Sequence, residues 1–137
     1  VVNGNHVTIY GLFNEHFQEY QTYWTGEHGR TYFYQCETPY DAPSQEYYMS
    51  ENGTRAGYAA YKVADNVNTH EAFAFGIYDV LHNEIMIENS IEVPDKTGIR
   101  MYHMCNNTLS GGGGIGKSTY KTHHDYRAYI DEFIGKR

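Results

Sequence analysis

Residues 9–43, IYGLFNEHFQEYQTYWTGEHGRTYFYQCETPYDAP, hold the pattern on which the fold turns. Two short aromatic-rich runs lie in it, IYGLF (9–13) and RTYFYQ (30–35), and each ends just before a carboxylate, Glu15 and Glu37. The interval between the two glutamates is 37 − 15 = 22. One coil of a β-solenoid takes roughly 20–30 residues. A residue one coil further on sits above its equivalent at about one strand spacing, ~4.8 Å. The spacing therefore predicts that Glu15 and Glu37 project from neighbouring rungs into one cleft. Two carboxyl groups held near each other are the least that cleavage of a glycosidic bond needs. Two surface glutamates on loops would leave the same trace, since exposed Glu is the common case.

Working outward, HVTIYGLF (6–13) alternates and is rich in β-branched and aromatic residues, which predicts a strand. NEHFQEYQ (14–21) reads as a polar turn, with room for a short strand at 18–23. Trp24 to Arg30, with Gly26 and Gly29, reads as a turn before the strand over 30–37. Pro39 and Pro43 take TPYDAP (38–43) out of any ladder, because proline fixes φ and lacks the N–H donor. SQEYYMSENGTRA (44–56) reads as an insertion turning at Asn52-Gly53, and GYAAYKVAD (57–65) as a strand. NTHEAFAFGIYDVL (68–81) contains good helix formers, but its alternation and Gly76 favour strand. EIMIENSIEVP (84–94) gives two short strands around Asn89-Ser90, and GIRMYHMCNNTLSG (98–111) another strand and a turn. Short, evenly interrupted strands with no strong amphipathic helix before residue 118 fit a solenoid better than an α/β fold.

Three pieces, GLFNEHFQEYQ, YFYQCETPYD and GYAAYKVAD, carry a more specific signal. Over residues 1 to about 115 the chain resembles the C-terminal part of glycoside hydrolase family 55, and most closely its bacterial β-1,3-glucanase (laminarinase) branch. The resemblance implies an all-β, right-handed parallel β-helix that cleaves β-1,3-glucan from the chain end with inversion. The family's general acid is a Glu before a Pro-Tyr-Asp, which here is Glu37. A second Glu, in an Asn-Glu-His-Phe-Gln context, helps to hold the attacking water, and here it is Glu15. Tyr40, Trp24 and Gln35 are the expected substrate contacts around them. No cofactor and no metal are implied, and a secreted, extracellular protein is. Family enzymes are several times longer, so the expected partner besides glucan is a missing N-terminal chain. That chain would carry most of the coils and much of the sugar pocket. Inversion needs carboxyl groups roughly 6.5–9.5 Å apart and retention ~5–5.5 Å. Strict stacking gives the short value and a sideways offset the long one, so the choice of inversion comes from the resemblance.

Composition bounds the alternatives. The chain has 137 residues, enough for one domain, and a formal net charge of −7, which argues against nucleic-acid binding through a basic patch. It has no uninterrupted apolar run of the length a membrane-spanning helix needs, so no span is expected. Its 15 tyrosines suit a sugar groove, where a flat ring with a polar tip is useful, and equally an aromatic ladder along a solenoid. Cys36 and Cys105 could pair if their coils are neighbours. Asn52 and Asn106 head glycosylation sequons. His123-His124-Asp125 and the scattered histidines lack the spacing of a metal site. GGGGIGKS (111–118) matches the phosphate-loop pattern. The sequence ends soon after it and no βαβ alternation precedes it, so a flexible glycine turn is the expectation.

Residues 1–118 are thus read as β-helix coils and 119–137 as a tail. Tyr126, Tyr129, Ile130 and Phe133 recur at helical spacing, which predicts a short C-terminal helix capping the open end of the solenoid. The competing account of the whole chain is a non-catalytic β-solenoid module. It would self-associate through its open first rung, whose unpaired backbone groups invite pairing.

Overall fold

A computed structural model describes residues 1–111, 114–117 and 127–136. In chain order the strands are β1 (Thr8–Glu15), β2 (Thr22–Trp24), β3 (Gly29–Glu37), β4 (Met49–Ser50), β5 (Arg55–Ala56), β6 (Tyr61–Val63), β7 (Thr69–Leu81), β8 (Met86–Asn89), β9 (Ile91–Glu92), β10 (Gly98–Gly111), β11 (Gly114–Lys117) and β12 (Arg127–Ile134). One sheet runs β1-β3-β7-β10-β12, with the first four strands parallel. A second parallel sheet runs β2-β6-β9, and β8 pairs in parallel with β11. The chain thus returns to the same sheet once per coil. It forms a parallel β-helix, right-handed as parallel crossovers almost always are.

The first coil has the expected length: Thr8 pairs with Arg30, an offset of 30 − 8 = 22. The second is longer, with Arg30 against Glu71 (71 − 30 = 41), because the β4–β5 hairpin is inserted into it. The third returns to 98 − 69 = 29, Gly98 against Thr69.

In-register stacking sorts side chains into columns. Leu12, Tyr34, Phe75 and Met104 line up across β1, β3, β7 and β10, and the last three are buried. Outside, Tyr10, Tyr32, Phe73 and Tyr102 stack face to face, with ring centroids 5.2, 5.4 and 4.6 Å apart and planes within 18°. Each such pair contributes about 0.5–1.5 kcal/mol beyond area burial. Between these columns the strands bend. Gly11, Phe33, Ala74 and His103, one per rung, all have positive φ (66°, 64°, 60° and 53°). Only Gly11 adopts that region freely. The other three each cost about 1–2 kcal/mol, which the flanking pairings must offset.

Several expectations are met and several corrected. Residues 69–81 form strand, and two short strands flank Asn89-Ser90. GYAAYKVAD contributes strand only at Tyr61–Val63. The predicted C-terminal helix is a strand where it is described. β12 runs antiparallel along β10, with Phe133 buried and Glu132 and Ile134 exposed, a period of two. Backbone pairing to the free edge of β10 outweighs the helical spacing. Gly135 seats directly against the Lys96 backbone, where a Cβ has no room, and its N–H donates to the Ile99 carbonyl at 3.1 Å. Residues 114–117 of the glycine-rich stretch form β11, in register with β8, rather than a flexible turn or a phosphate loop. Ser118, His123, His124, Asp125 and Tyr126 lie outside the described residues. No described helix is long and apolar enough to cross a membrane.

Cys36 and Cys105 do not pair. They stand on β3 and β10, with β7 between them, and are free. Cys36 is buried in the interior, whereas Cys105 borders an outer groove. Asn106 is also buried within β10, which removes it as a glycosylation site, while Asn52 is exposed in its turn.

His70 and Asp79 are both fully buried. His70 Nε2 lies 2.8 Å from the Tyr61 hydroxyl, which in turn meets Thr31 Oγ1 at 2.7 Å, and burial lowers the His70 pKa to about 4. Burial raises Asp79 to about 6, partly opposed by the Thr108 hydroxyl donating to Oδ2 at 2.9 Å. The signs are opposite. Stability due to Asp79 is full below its unfolded value near 4 and lost as pH rises through about 6. Stability due to His70 is present above about 6.5 and lost as pH falls toward 4.

Asp79→Asn should therefore be more stable than the parent at pH 8, by up to about 3 kcal/mol, with the advantage gone at pH 4. Urea unfolding at both pH values measures this, and an equal change at both would contradict it. Separately, alkylation under native conditions should modify Cys105 and spare Cys36, whose thiol burial pushes up to about 12. Unfolding should expose both, and intact mass should show no disulfide.

Candidate functional site

The alternation of β3 turns Tyr34 and Cys36 inward, and Gln35 and Glu37 outward. Parallel pairing then places Glu15, Glu37 and Tyr78 in one column at the ends of β1, β3 and the adjoining part of β7. The two carboxylates predicted to share a rung-to-rung contact are direct register partners. Like charges directly opposite each other destabilise a sheet. The pairing sets two acidic side chains side by side at the ends of neighbouring rungs.

Two loops close around Glu37. His16 follows β1 directly, with φ of 60°. That left-handed conformation costs a histidine about 1–2 kcal/mol. Its backbone N–H donates to the Glu37 carbonyl at 2.9 Å, and its ring Nε2 lies 3.3 Å from Glu37 Oε2. From the other side, the Tyr40 hydroxyl donates to the same Oε2. This hydrogen bond, with burial and the Glu37 charge, pushes the Tyr40 pKa up to about 12. The His16 and Tyr40 rings meet edge to face, with centroids 4.4 Å apart. Further out, Gln18 Nε2 donates to Asp41 Oδ1 at 3.1 Å and ties the loops together. Gln21 braces the first loop: it accepts from the Phe17 N–H at 3.0 Å and donates to the Phe17 carbonyl at 2.6 Å.

The Glu37 side chain is 27% exposed, and Glu15 is open to solvent. Gln35 borders a shallow groove of about 260 Å³ whose wall includes Phe33, Tyr78 and His103. The Tyr78 ring lies over Gly76, where a Cβ would come within 3.0 Å of the phenol oxygen. Gly76 thus allows a flat ring beside the Glu37 column.

Trp24 corrects the expected set. It is wholly buried, its ring edge-on to His70 at 4.9 Å, and it cannot touch a substrate. Its strand points Thr22 and Trp24 inward and Tyr23 outward. The expected neighbours Tyr40 and Gln35 do lie beside Glu37. His16 and Tyr78 were absent from the expected set, although His16 adjoins Glu15 in sequence.

A second cavity, about 290 Å³, lies on the outer side of β6 and β9. Its charges face one another: Lys62 meets Glu51 and, at 3.1 Å, Glu92, and Arg55 meets Glu92 at 2.9 Å. It holds neither Glu15 nor Glu37. Among the described residues no three His, Cys, Asp or Glu side chains converge as a metal site.

Comparison with known proteins agrees with the β-helix fold. Residues 1–37 match the family described as the LAM55 pectate lyase-like domain. An exo-β-1,3-glucanase of Streptomyces sp. (strain SirexAA-E / ActE) is 41% identical over 114 residues, covering 82% of this chain and 18% of the relative. The solved structure of sacteLam55A from Streptomyces sp. SirexAA-E superposes with a TM-score of 0.86 at 34% identity, over 96% of this chain and 25% of that one. A glutamate-to-alanine variant of that protein in complex with glucose gives a TM-score of 0.80 at the same identity and coverage. The chain spans about a fifth to a quarter of the length of these relatives.

Proposed function

We propose that this chain, which belongs with the glycoside hydrolase family 55 proteins as a portion of their β-helix, is the acid-bearing part of an inverting β-1,3-glucan hydrolase. Glu37 is the general acid, giving its proton to the glycosidic oxygen as the bond from that oxygen to the anomeric carbon breaks. Glu15, ionised, orients the attacking water and takes its proton as the new bond forms on the opposite face. Tyr40 and Gln35 contact the sugar around them. The observation that supports a two-carboxylate site is the register pairing of Glu15 with Glu37, with the Glu37 carboxylate engaged by two side chains from two braced loops, while inversion rests on the resemblance to family 55.

The proposed partners are β-1,3-glucan and the rest of such an enzyme. β1 is an edge strand of its sheet, and Tyr10 and Phe13 on it are 75% and 57% exposed. Further coils pairing on that edge would bury these rings and build the remaining wall of the pocket. Pairing of two copies through the same edge is the competing arrangement. A secreted location is proposed with the polymeric substrate.

Laminarin hydrolysis by native material containing this chain tests the assignment. Glu37→Gln should lower the rate by about 10²–10⁴-fold and Glu15→Gln by a comparable factor. Proton NMR of the first product should show the α-anomer. Full activity in Glu37→Gln would refute the acid role, and a β-anomer would refute inversion.

A further inference from the structure

The two oxygens of the Glu37 carboxyl are not equivalent. Both side-chain contacts described for it, from the Tyr40 hydroxyl and His16 Nε2, fall on Oε2. None of the described hydrogen bonds engages Oε1. His16 reaches this position through three separate features that serve no core packing. Its backbone is left-handed, its N–H is bonded to the Glu37 carbonyl, and its ring is wedged edge-on against Tyr40. The side chain itself is 45% exposed, so little burial is gained by placing it there.

An oxygen that accepts from two donors is a poor place for an acidic proton, because one of the three hydrogens would have to leave the contact. We propose that His16 is a positioning residue: in its Nε2–H form it acts with Tyr40 to pin Oε2, leaving Oε1 to carry the proton delivered to the leaving oxygen. As Oε1–H gives up its proton, negative charge develops on the carboxylate, and the two donors already aimed at Oε2 stabilise it without rearranging. The proton goes to the departing sugar hydroxyl. The water that attacks the anomeric carbon loses its proton to Glu15, so atoms and charge balance. The requirement on the histidine is definite: Nε2 must carry hydrogen and Nδ1 must not need one for this contact.

This inference rests on Glu37 being the acid, but its central test does not depend on turnover. Ring-nitrogen NMR of the chain should show Nε2 of His16 protonated, with an observable Hε2 resonance at low temperature. That resonance should disappear in Glu37→Leu and weaken in Tyr40→Phe. An Nδ1–H ring, or an Hε2 signal unchanged by Glu37→Leu, would overturn the proposal. In active material His16→Ala should lower kcat about tenfold with KM little changed, and His16→Gln, which keeps an N–H donor, should recover most of the loss. A change in KM alone, or no recovery with Gln, would count against positioning. His16→Gly should keep or raise Tm, since glycine is at ease at φ of 60°. A clear drop in Tm would instead give His16 a structural role and overturn the proposal. If Glu37→Gln stays active while the Hε2 signature holds, the acid assignment fails and the contact survives. If Glu37→Gln is inactive and the signature is missing, the positioning role alone fails.

Discussion

Parallel pairing in strict register is the constraint from which the remaining features follow. With β1, β3, β7 and β10 aligned in register as far as the irregularity between Thr108 and Ser110, each residue must tolerate its counterpart about 4.8 Å above and below. For apolar and aromatic residues this repetition is favourable, as in the inner column of Leu12, Tyr34, Phe75 and Met104 and the outer stack of Tyr10, Tyr32, Phe73 and Tyr102. For left-handed residues it is unfavourable, because the cost recurs on each rung. The fold absorbs the column of bends at Gly11, Phe33, Ala74 and His103 because the pairings on both sides fix the backbone more strongly than the strain disturbs it. The same surplus holds Glu15 over Glu37.

Legibility in the sequence followed the distance over which each feature is decided. The repeat from β1 to β3 is local and unbroken, so the carboxylate pairing could be read from spacing. The next coil is nearly twice as long because the β4–β5 hairpin interrupts it, and no fixed period survives that insertion. The terminal segment failed for a different reason. Tyr129, Ile130 and Phe133 satisfy a helical spacing, but β10 presents a row of unpaired backbone groups to any neighbour. An edge created earlier in the chain thus settled the conformation of 127–134, and no local periodicity records it.

The proximity of Glu37, Glu15, Tyr40 and Gln35 could be read from the sequence because they cluster around strand ends. Trp24, expected to contact substrate, is instead wholly buried. The alternation of Thr22, Tyr23 and Trp24 carries the better signal, and it turns the indole inward against His70. His16 could not be ranked above the other histidines, since a positive φ in a residue other than glycine is imposed by its surroundings and has no residue-type signature. Tyr78 became visible only through pairing, because the whole of the lengthened second coil separates it in sequence from the glutamate it adjoins.

The placement of the site at the strand ends has a consequence for how accurately it is held. Glu15 and Glu37 take their Cα positions from the sheet, which is stiff, while the atoms that orient the Glu37 carboxyl come from the two loops that follow. Loops alone would leave the carboxyl loosely aimed, and a misplacement of about 1 Å costs a large factor in rate. Here the loops are joined by Gln18 to Asp41, braced internally by Gln21, and anchored by the bond from His16 to the Glu37 carbonyl. A rigid rung supplies the spacing and a braced pair of loops supplies the aim. That combination is what the proposed division of work between an acid and a water-holding carboxylate would require.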